Sequence, residues 1–128
     1  NDYPHEDCWK ARHILESSTA IKAPSAVYQL LGAKKIQQIL YNRSILEKFV
    51  QNTHDVELLH GVFAAQYSLS NADSSSVEEI VSMAIENPDL FVLKPQREGG
   101  GNNLYGSKLK AALESFTGDE RAAYVLME

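Results

Sequence analysis

The order of residues along this chain predicts an α+β fold: helices fill the first two thirds, and a strand, a glycine-rich loop, a helix and a second strand follow. Three observations support this prediction. Apolar residues recur at helical spacing from Asp7 to Tyr67, a short apolar run ends at Lys94-Pro95, and three consecutive glycines follow at positions 99–101. A chain of 128 residues, of which 44% are hydrophobic, is long enough to bury a core.

The helices predicted in the first two thirds are marked by apolar stripes and by residues that begin or end helices. Ser25 is suited to cap a helix that ends at Gly32, because its hydroxyl accepts a hydrogen bond from the first turn. The longest predicted helix, residues 34–50, has an apolar stripe that includes Ile36, Ile39 and Leu46. The predicted helices span residues 7–18, 25–32, 34–50 and 56–67, with a short extended piece at 20–23.

The middle of the chain predicts a loop followed by a helix and a strand. The segment Ser68 to Ser76 is polar and lacks the apolar spacing of either regular element, so we expect a loop or hinge. Ser76 with Glu79 makes a capping-box pattern, which marks the start of a helix that Asn87-Pro88-Asp89 ends. The next apolar run should be a strand that stops at Lys94, since proline favours an extended backbone in the residue before it.

The last elements predicted are a helix over residues 107–116, a short turn and a strand from Tyr124 to Met127. A second capping-box pattern, Thr117 with Glu120, begins the turn. Because the final strand stands at the very end of the sequence, which starts at Asn1 and not at a methionine, we expect a piece of a larger protein.

Charge and composition narrow the class of protein. The net charge of -5 argues against a nucleic-acid or membrane surface, since those need a clustered basic face. The single cysteine, Cys8, excludes an intrachain disulfide framework and fits a reducing compartment. The sequence has no apolar run long enough to span a membrane and no signal-peptide pattern, so cytoplasm is the expected location.

The glycine-rich loop predicts a phosphate site. Glycines let backbone N–H groups approach an anion closely, and Lys94 and Arg97 supply cations beside them. Glu98 has the oxygen donor that Mg²⁺ prefers, although a solvated carboxylate paired with Arg97 explains it equally well. A flexible linker is a weaker alternative, because the loop lies between an apolar strand and an amphipathic helix. The spacing of a Walker loop and of a dinucleotide fingerprint are both absent.

The segment KPQREGGGNNLYG, preceded by NPDLFVL, resembles the glycine-rich loop of the eukaryotic glutathione synthetase family in the ATP-grasp superfamily. WKAR, AIKAPS, QLLGAKKIQQIL, YSL and YVLME resemble that family in the same order, so the resemblance covers nearly the whole chain. It implies an ATP-dependent ligase that joins glycine to γ-glutamylcysteine through an acyl phosphate, with Mg²⁺ as cofactor and a homodimer as assembly. The net charge, as noted above, predicts no nucleic-acid or membrane partner.

The resemblance also implies roles for particular residues. Lys34 and Lys94 would contact ATP phosphates, Glu98 would bind Mg²⁺, and Met127 with Glu128 would lie at the adenine pocket. Catalytic residues are not assigned. The full set implied for nucleotide binding is Lys34, Lys94, Pro95, Gln96, Arg97, Glu98, Gly99, Gly100, Gly101, Asn102, Asn103, Tyr105, Met127 and Glu128.

By the same resemblance, residues 1–24 would end a substrate-binding region, 25–66 would form a helical ATP-grasp region, and 67–128 would begin the ATP-grasp lid. The peptide-substrate loop and the second glycine-rich loop of the family are missing from this sequence, so we expect the chain alone to be inactive. Three alternatives stay open: a nucleotide-binding module without ligase activity, a ligase that uses β-alanine in place of glycine, and a helical interaction domain whose loop binds anions.

Overall fold

The computed structural model describes residues 3–70, 74–96 and 100–128. They form two compact units, which divide between Gly32 and Ala33. Helices dominate, and the strands form one small antiparallel sheet, which confirms the α+β class. No described helix is both long and apolar enough to cross a membrane.

The first unit contains α1 (Glu6–Ser17) and α2 (Ala26–Leu31). Ser25 caps α2 as predicted, since its side chain accepts a hydrogen bond from the Tyr28 N–H. Residues 20–23, predicted as a short extended piece, belong to neither a helix nor a strand. Beside them the Ser18 hydroxyl accepts a hydrogen bond from the Ala20 N–H, and the Lys22 ammonium donates to the Ser18 carbonyl.

The second unit opens with three helices, α3 (Lys34–Tyr41), α4 (Arg43–Leu46) and α5 (Thr53–Val62). The single helix predicted over residues 34–50 is therefore wrong. Asn42 breaks it by leaving the helical conformation and accepting a hydrogen bond from the Ser44 N–H at 3.0 Å, which starts a new helix.

A strand that the sequence pattern did not predict follows α5. β1 (Gln66–Ser68) occupies the end of the predicted helix 56–67 and the start of the predicted loop 68–76, so both predictions are wrong at these residues. Its pairing with a distant strand overrides the local apolar pattern. Helix α6 (Ser74–Glu86) begins before Ser76, which is therefore not its cap, and residues 71–73 lie outside the described part.

The remaining elements follow the predicted order, with three short elements added. A 3₁₀ turn at Gly100–Asn102 and a short strand lie between the predicted strand and helix. Thr117 and Glu120 form the predicted capping box in full. The elements are β2 (Val92–Pro95), β3 (Leu104–Tyr105), α7 (Gly106–Ser115), α8 (Gly118–Ala122) and β4 (Tyr124–Met127), with a further 3₁₀ turn at Pro88–Leu90.

The sheet has the strand order β1-β4-β2-β3, and every neighbouring pair is antiparallel. The last strand in sequence, β4, therefore lies between β1 and β2. Leu93 pairs with Leu126 on β4 and with Leu104 on β3, so these residues share one face of the sheet. That face carries the hydrophobic core, where Leu93 and Leu126 are fully buried under α6 and α7.

Candidate functional site

The face of the sheet opposite the core brings together residues that the sequence analysis assigned to nucleotide binding. Val92 pairs with Tyr105 on β3 and with Met127 on β4, and Met127 pairs with Gln66 on β1. Directly paired residues point to the same side of a sheet, so these four form one row across it. Lys94 lies two residues from Val92 and shares this side. We call this side, with its row and Lys94, the nucleotide face, after the binding that the sequence predicts for its residues.

Helix α3 packs beside β1 and β4. The described members of the core cluster come from α6, α7, β2, β4, the residue after β1 and the residue before β2, and none of them belongs to α3. Val125, which pairs with Lys94 on the nucleotide face, is fully buried. Lys34 is half-buried at the first position of α3, so this predicted phosphate contact belongs to the helix that packs beside β1 and β4.

A cleft of about 540 Å³ lies at the end of β2, beside the glycine loop. It gathers Pro95, Gln96 and the described residues 101–103 of the loop, but it is not lined by Lys94. The two groups of predicted residues therefore lie in different places: one lines this cleft, and the other lies on the nucleotide face. Lys108 and Tyr124 also line the cleft, and neither was predicted from the sequence to belong to the site. An excess of positive charge between Leu90 and Lys110 is the feature of the sequence that points to Lys108.

Asn103 connects the cleft to the nucleotide face. Its side-chain N–H donates to the Tyr105 hydroxyl at 3.1 Å. Its Oδ1 is buried and has no hydrogen-bond partner among the described residues. Two residues predicted for nucleotide binding are thus in direct contact, and one of them holds an acceptor oxygen with unused capacity.

Glycine is not required at position 101 by the packing of the described residues. A Cβ built there meets nothing within 4 Å, and Gly101 does not have a positive φ. Gly106 differs, because its φ is 50° and a Cβ there would lie 3.1 Å from Asp89 Oδ1. The fold does not require glycine at position 101, so this residue could be there to allow contact with a ligand. The fold does require Gly106.

Strand β4 and Glu128, which follows it, form the predicted adenine pocket, and hydrogen bonds hold the end of this strand in place. The Glu128 N–H donates to the Ala65 carbonyl at 3.1 Å, so this donor is already used. The Tyr67 hydroxyl donates to Glu128 Oε1 at 2.9 Å. Burial, followed by this bond to the carboxylate, raises the pKa of Tyr67 above its ordinary value.

The predicted Mg²⁺ ligand Glu98 lies outside the described residues, as do Arg97 and Gly99. The described part of the chain holds no group of three or more His, Cys, Asp or Glu side chains that could bind a metal. It does supply Asn103 Oδ1, an unpartnered oxygen of the type that Mg²⁺ prefers. The chemistry of this donor fits a magnesium ion that keeps most of its ligands from phosphate and water.

The sequence of residues 3–128 matches the family model of the eukaryotic glutathione synthase ATP-binding domain. The chain is 47% identical over 131 residues to the chloroplastic glutathione synthetase of Arabidopsis thaliana, covering 100% of this chain and 23% of that protein. It is 46% identical over 133 residues to the glutathione synthetase of Dictyostelium discoideum, covering 100% of this chain and 27% of that protein.

A solved structure also resembles the chain. A glutathione synthetase-like effector from Globodera pallida matches with a TM-score of 0.62 over 92% of this chain and 23% of the effector, at 24% sequence identity. At this identity the likeness concerns the fold. Both kinds of comparison show that the chain spans about a quarter of the length of the proteins it matches.

Proposed function

Because the chain belongs to the eukaryotic glutathione synthase ATP-binding domain family, we propose that it supplies part of the ATP site of a ligase that joins glycine to γ-glutamylcysteine. One structural observation supports the proposal independently of family membership. The register of the sheet aligns Tyr105 and Met127 in one row and sets Lys94 on the same side. A cation, an aromatic ring and a thioether on one face suit the phosphates and the purine ring of a nucleotide.

The chemistry proposed is a two-step ligation. The γ-phosphoryl group of ATP passes to the carboxylate of γ-glutamylcysteine, which gives an acyl phosphate and ADP. The amine of glycine then attacks the acyl carbon, loses a proton and displaces phosphate. Lys34 and Lys94 would hold the phosphate oxygens and offset their charge as it shifts.

Loop residues 94–103 would cover the nucleotide and keep water from the acyl phosphate. Glu98 and Asn103 are the residues that would hold Mg²⁺, and the bound ion would neutralise phosphate charge. The proposed division of the chain is a substrate-binding end at 1–24, a helical region at 25–66 and the start of a lid at 67–128. On this division the chain alone is inactive.

The test replaces Lys94 with alanine in the full-length protein and measures ADP release that depends on γ-glutamylcysteine and glycine. We expect activity to fall by about two orders of magnitude or more, because the lysine acts on charge that develops in the transition state. Lys110→Ala is the matched control, since Lys110 is exposed on α7 and does not line the cleft. Equal activity of the two variants would contradict the assignment of Lys94.

The acceptor, the assembly and the location are part of the same proposal. Supplying β-alanine in place of glycine in that assay distinguishes the two acceptors, and ATP binding without any turnover would favour a nucleotide-binding module. We propose a homodimer, which the mass of the full-length protein in solution tests. A cytoplasmic location is proposed as well, and fractionation of cells tests it.

A further inference from the structure

The cleft beside the glycine loop lies on the side of the sheet opposite the nucleotide face. Pro95 pairs with Tyr124 and follows Leu93 by two residues, so both share the side of the sheet that carries the core. Leu104, which pairs with Leu93, shares this side as well. Pro95, Tyr124 and Leu104 all line the cleft, and none of the residues that define the nucleotide face does. The sheet therefore separates a ligand in the cleft from a nucleotide on the other side.

The cleft has the size and the surface of a small-molecule site. Its volume of about 540 Å³ lies within the range that ligand pockets of proteins usually have. Pro95 and Leu104 supply apolar surface, and Tyr124 supplies an aromatic ring. The ring of Tyr124 packs against Phe116, with the two ring centroids 5.3 Å apart. A ligand would thus meet a surface that the hydrophobic core already holds in place.

Three polar side chains at the cleft are available to bind such a ligand. Gln96, Asn102 and Lys108 line it, and none of their side chains makes a hydrogen bond or an ion pair with the described residues. No acidic residue is found among the described residues that line the cleft, so Lys108 favours an anion. The two amide side chains both donate and accept hydrogen bonds, which matches the groups of a peptide.

Asn103 connects this cleft to the nucleotide face on the other side of the sheet. It lines the cleft, and its side-chain N–H donates to the Tyr105 hydroxyl at 3.1 Å. Gly101 and Asn102 line the cleft as well, and they belong to the loop that is proposed to cover the nucleotide. A ligand that holds these residues toward the cleft withholds them from the nucleotide.

We propose that the cleft is a second binding site, that it takes a short peptide with a carboxylate, and that its occupation weakens nucleotide binding. Lys108 pairs with the carboxylate, and Gln96 and Asn102 form hydrogen bonds to the peptide groups. The inference rests on the proposed function, because glutathione, the tripeptide that this ligation would make, has the required chemistry. Occupation of the cleft then makes the ligase sensitive to the amount of its own product.

The first test measures the affinity of glutathione for the full-length protein by isothermal titration without ATP. Lys108→Gln should weaken binding by roughly three- to tenfold, because a charge-assisted hydrogen bond is lost. Lys110→Gln is the matched control, since Lys110 is exposed on the same helix and does not line the cleft. Equal affinities of the two variants would overturn the site. Inorganic phosphate that binds as tightly as glutathione would overturn the peptide assignment, because phosphate has no amide groups.

The second test measures the affinity of ATP with and without saturating glutathione. Glutathione should weaken ATP binding by roughly fivefold or more, and ATP should weaken glutathione binding by the same factor, because coupling between two sites is reciprocal. Ala123→Phe places a ring in the cleft and should remove this coupling. Ala122→Phe should keep it, since Ala122 is exposed at the end of α8 and does not line the cleft.

Two outcomes of the second test would overturn the regulatory role: no coupling in the wild type, or coupling that persists in Ala123→Phe. Failure of the wild type to bind ATP at all would instead remove the proposed function. The binding of glutathione that depends on Lys108 is measured without ATP, so that result would still identify the cleft as a site.

Discussion

The Tyr67 hydroxyl donates a hydrogen bond of 2.9 Å to Glu128 Oε1, although 61 positions separate the two residues. The bond links β1 to the residue after β4, next to the pair of Gln66 and Met127 on the nucleotide face. It therefore holds together the two strands that the base would contact, and it does so from the side of the sheet opposite that base.

Tyr67→Phe should lower the free energy of unfolding by about 1 kcal/mol, since one hydrogen bond to a largely exposed carboxylate is lost. The measurement is denaturant unfolding of the full-length protein, with Tyr28→Phe as control because Tyr28 is 72% exposed. The pKa of Tyr67 is raised, so its contribution is present below the unfolded pKa of about 10 and is lost as pH rises through the folded pKa. Equal stability of both variants at pH 7 would contradict this assignment.

Gly101→Ala should leave stability nearly unchanged but reduce nucleotide affinity. The new Cβ meets no described atom within 4 Å, yet it would stand where backbone N–H groups approach phosphate. Isothermal titration with ATP and a thermal unfolding curve measure the two effects. Gly61→Ala is the control, because its Cβ is equally unhindered and lies in helix α5. An affinity unaffected by either change would show that the loop backbone does not contact the nucleotide at Gly101.

Gly106→Ala should destabilise the protein by about 1–3 kcal/mol, because a φ of 50° is strained for a residue with a side chain. A second contribution comes from Asp89 Oδ1, which lies 3.1 Å from the new Cβ. Unfolding in urea measures the sum. Adding Asp89→Ala to Gly106→Ala should restore only the free energy of unfolding that was lost through the contact with Asp89. Full recovery of stability would contradict a role for backbone strain.

Thr117→Ala should cost about 1 kcal/mol by removing the cap of α8. The backbone and side-chain hydrogen bonds of Thr117 lower the pKa of Glu120. The contribution of Glu120 is therefore complete above its unfolded pKa of about 4.3 and is lost as pH falls through the lower folded value. Stability curves of Glu120→Gln and wild type should converge in that acidic range, and a constant difference down to pH 2 would contradict it.

Local patterns predicted the helices of this chain better than its strands. The capping box of Thr117 and Glu120 is a contact between residues three apart, so its pattern is visible in sequence. Strand β1 is different, because Gln66 is extended through its pairing with Met127. Asn42 shows a third case, in which a short polar side chain stops a helix whose apolar stripe continues past it.

The sequence could predict only those parts of the candidate site that belong to a recognisable motif. The roles of the glycine loop and Lys94 were predicted from residue order, but the register that aligns Tyr105 with Met127 depends on how the strands pair. The predicted roles of Arg97, Glu98 and Gly99 stay predictions, since these residues lie outside the described part of the structure.

The central position of β4 has a consequence for synthesis of the protein. Ribosomes make β1 and β2 long before β4, yet those two strands have no direct pairing with each other in the finished sheet. Until residues 124–127 emerge, each presents an open edge that attracts other extended chains. The nascent polypeptide should therefore be most exposed to misassociation while α6 and α7 are being made, and insertion of β4 should be the late event that closes the sheet.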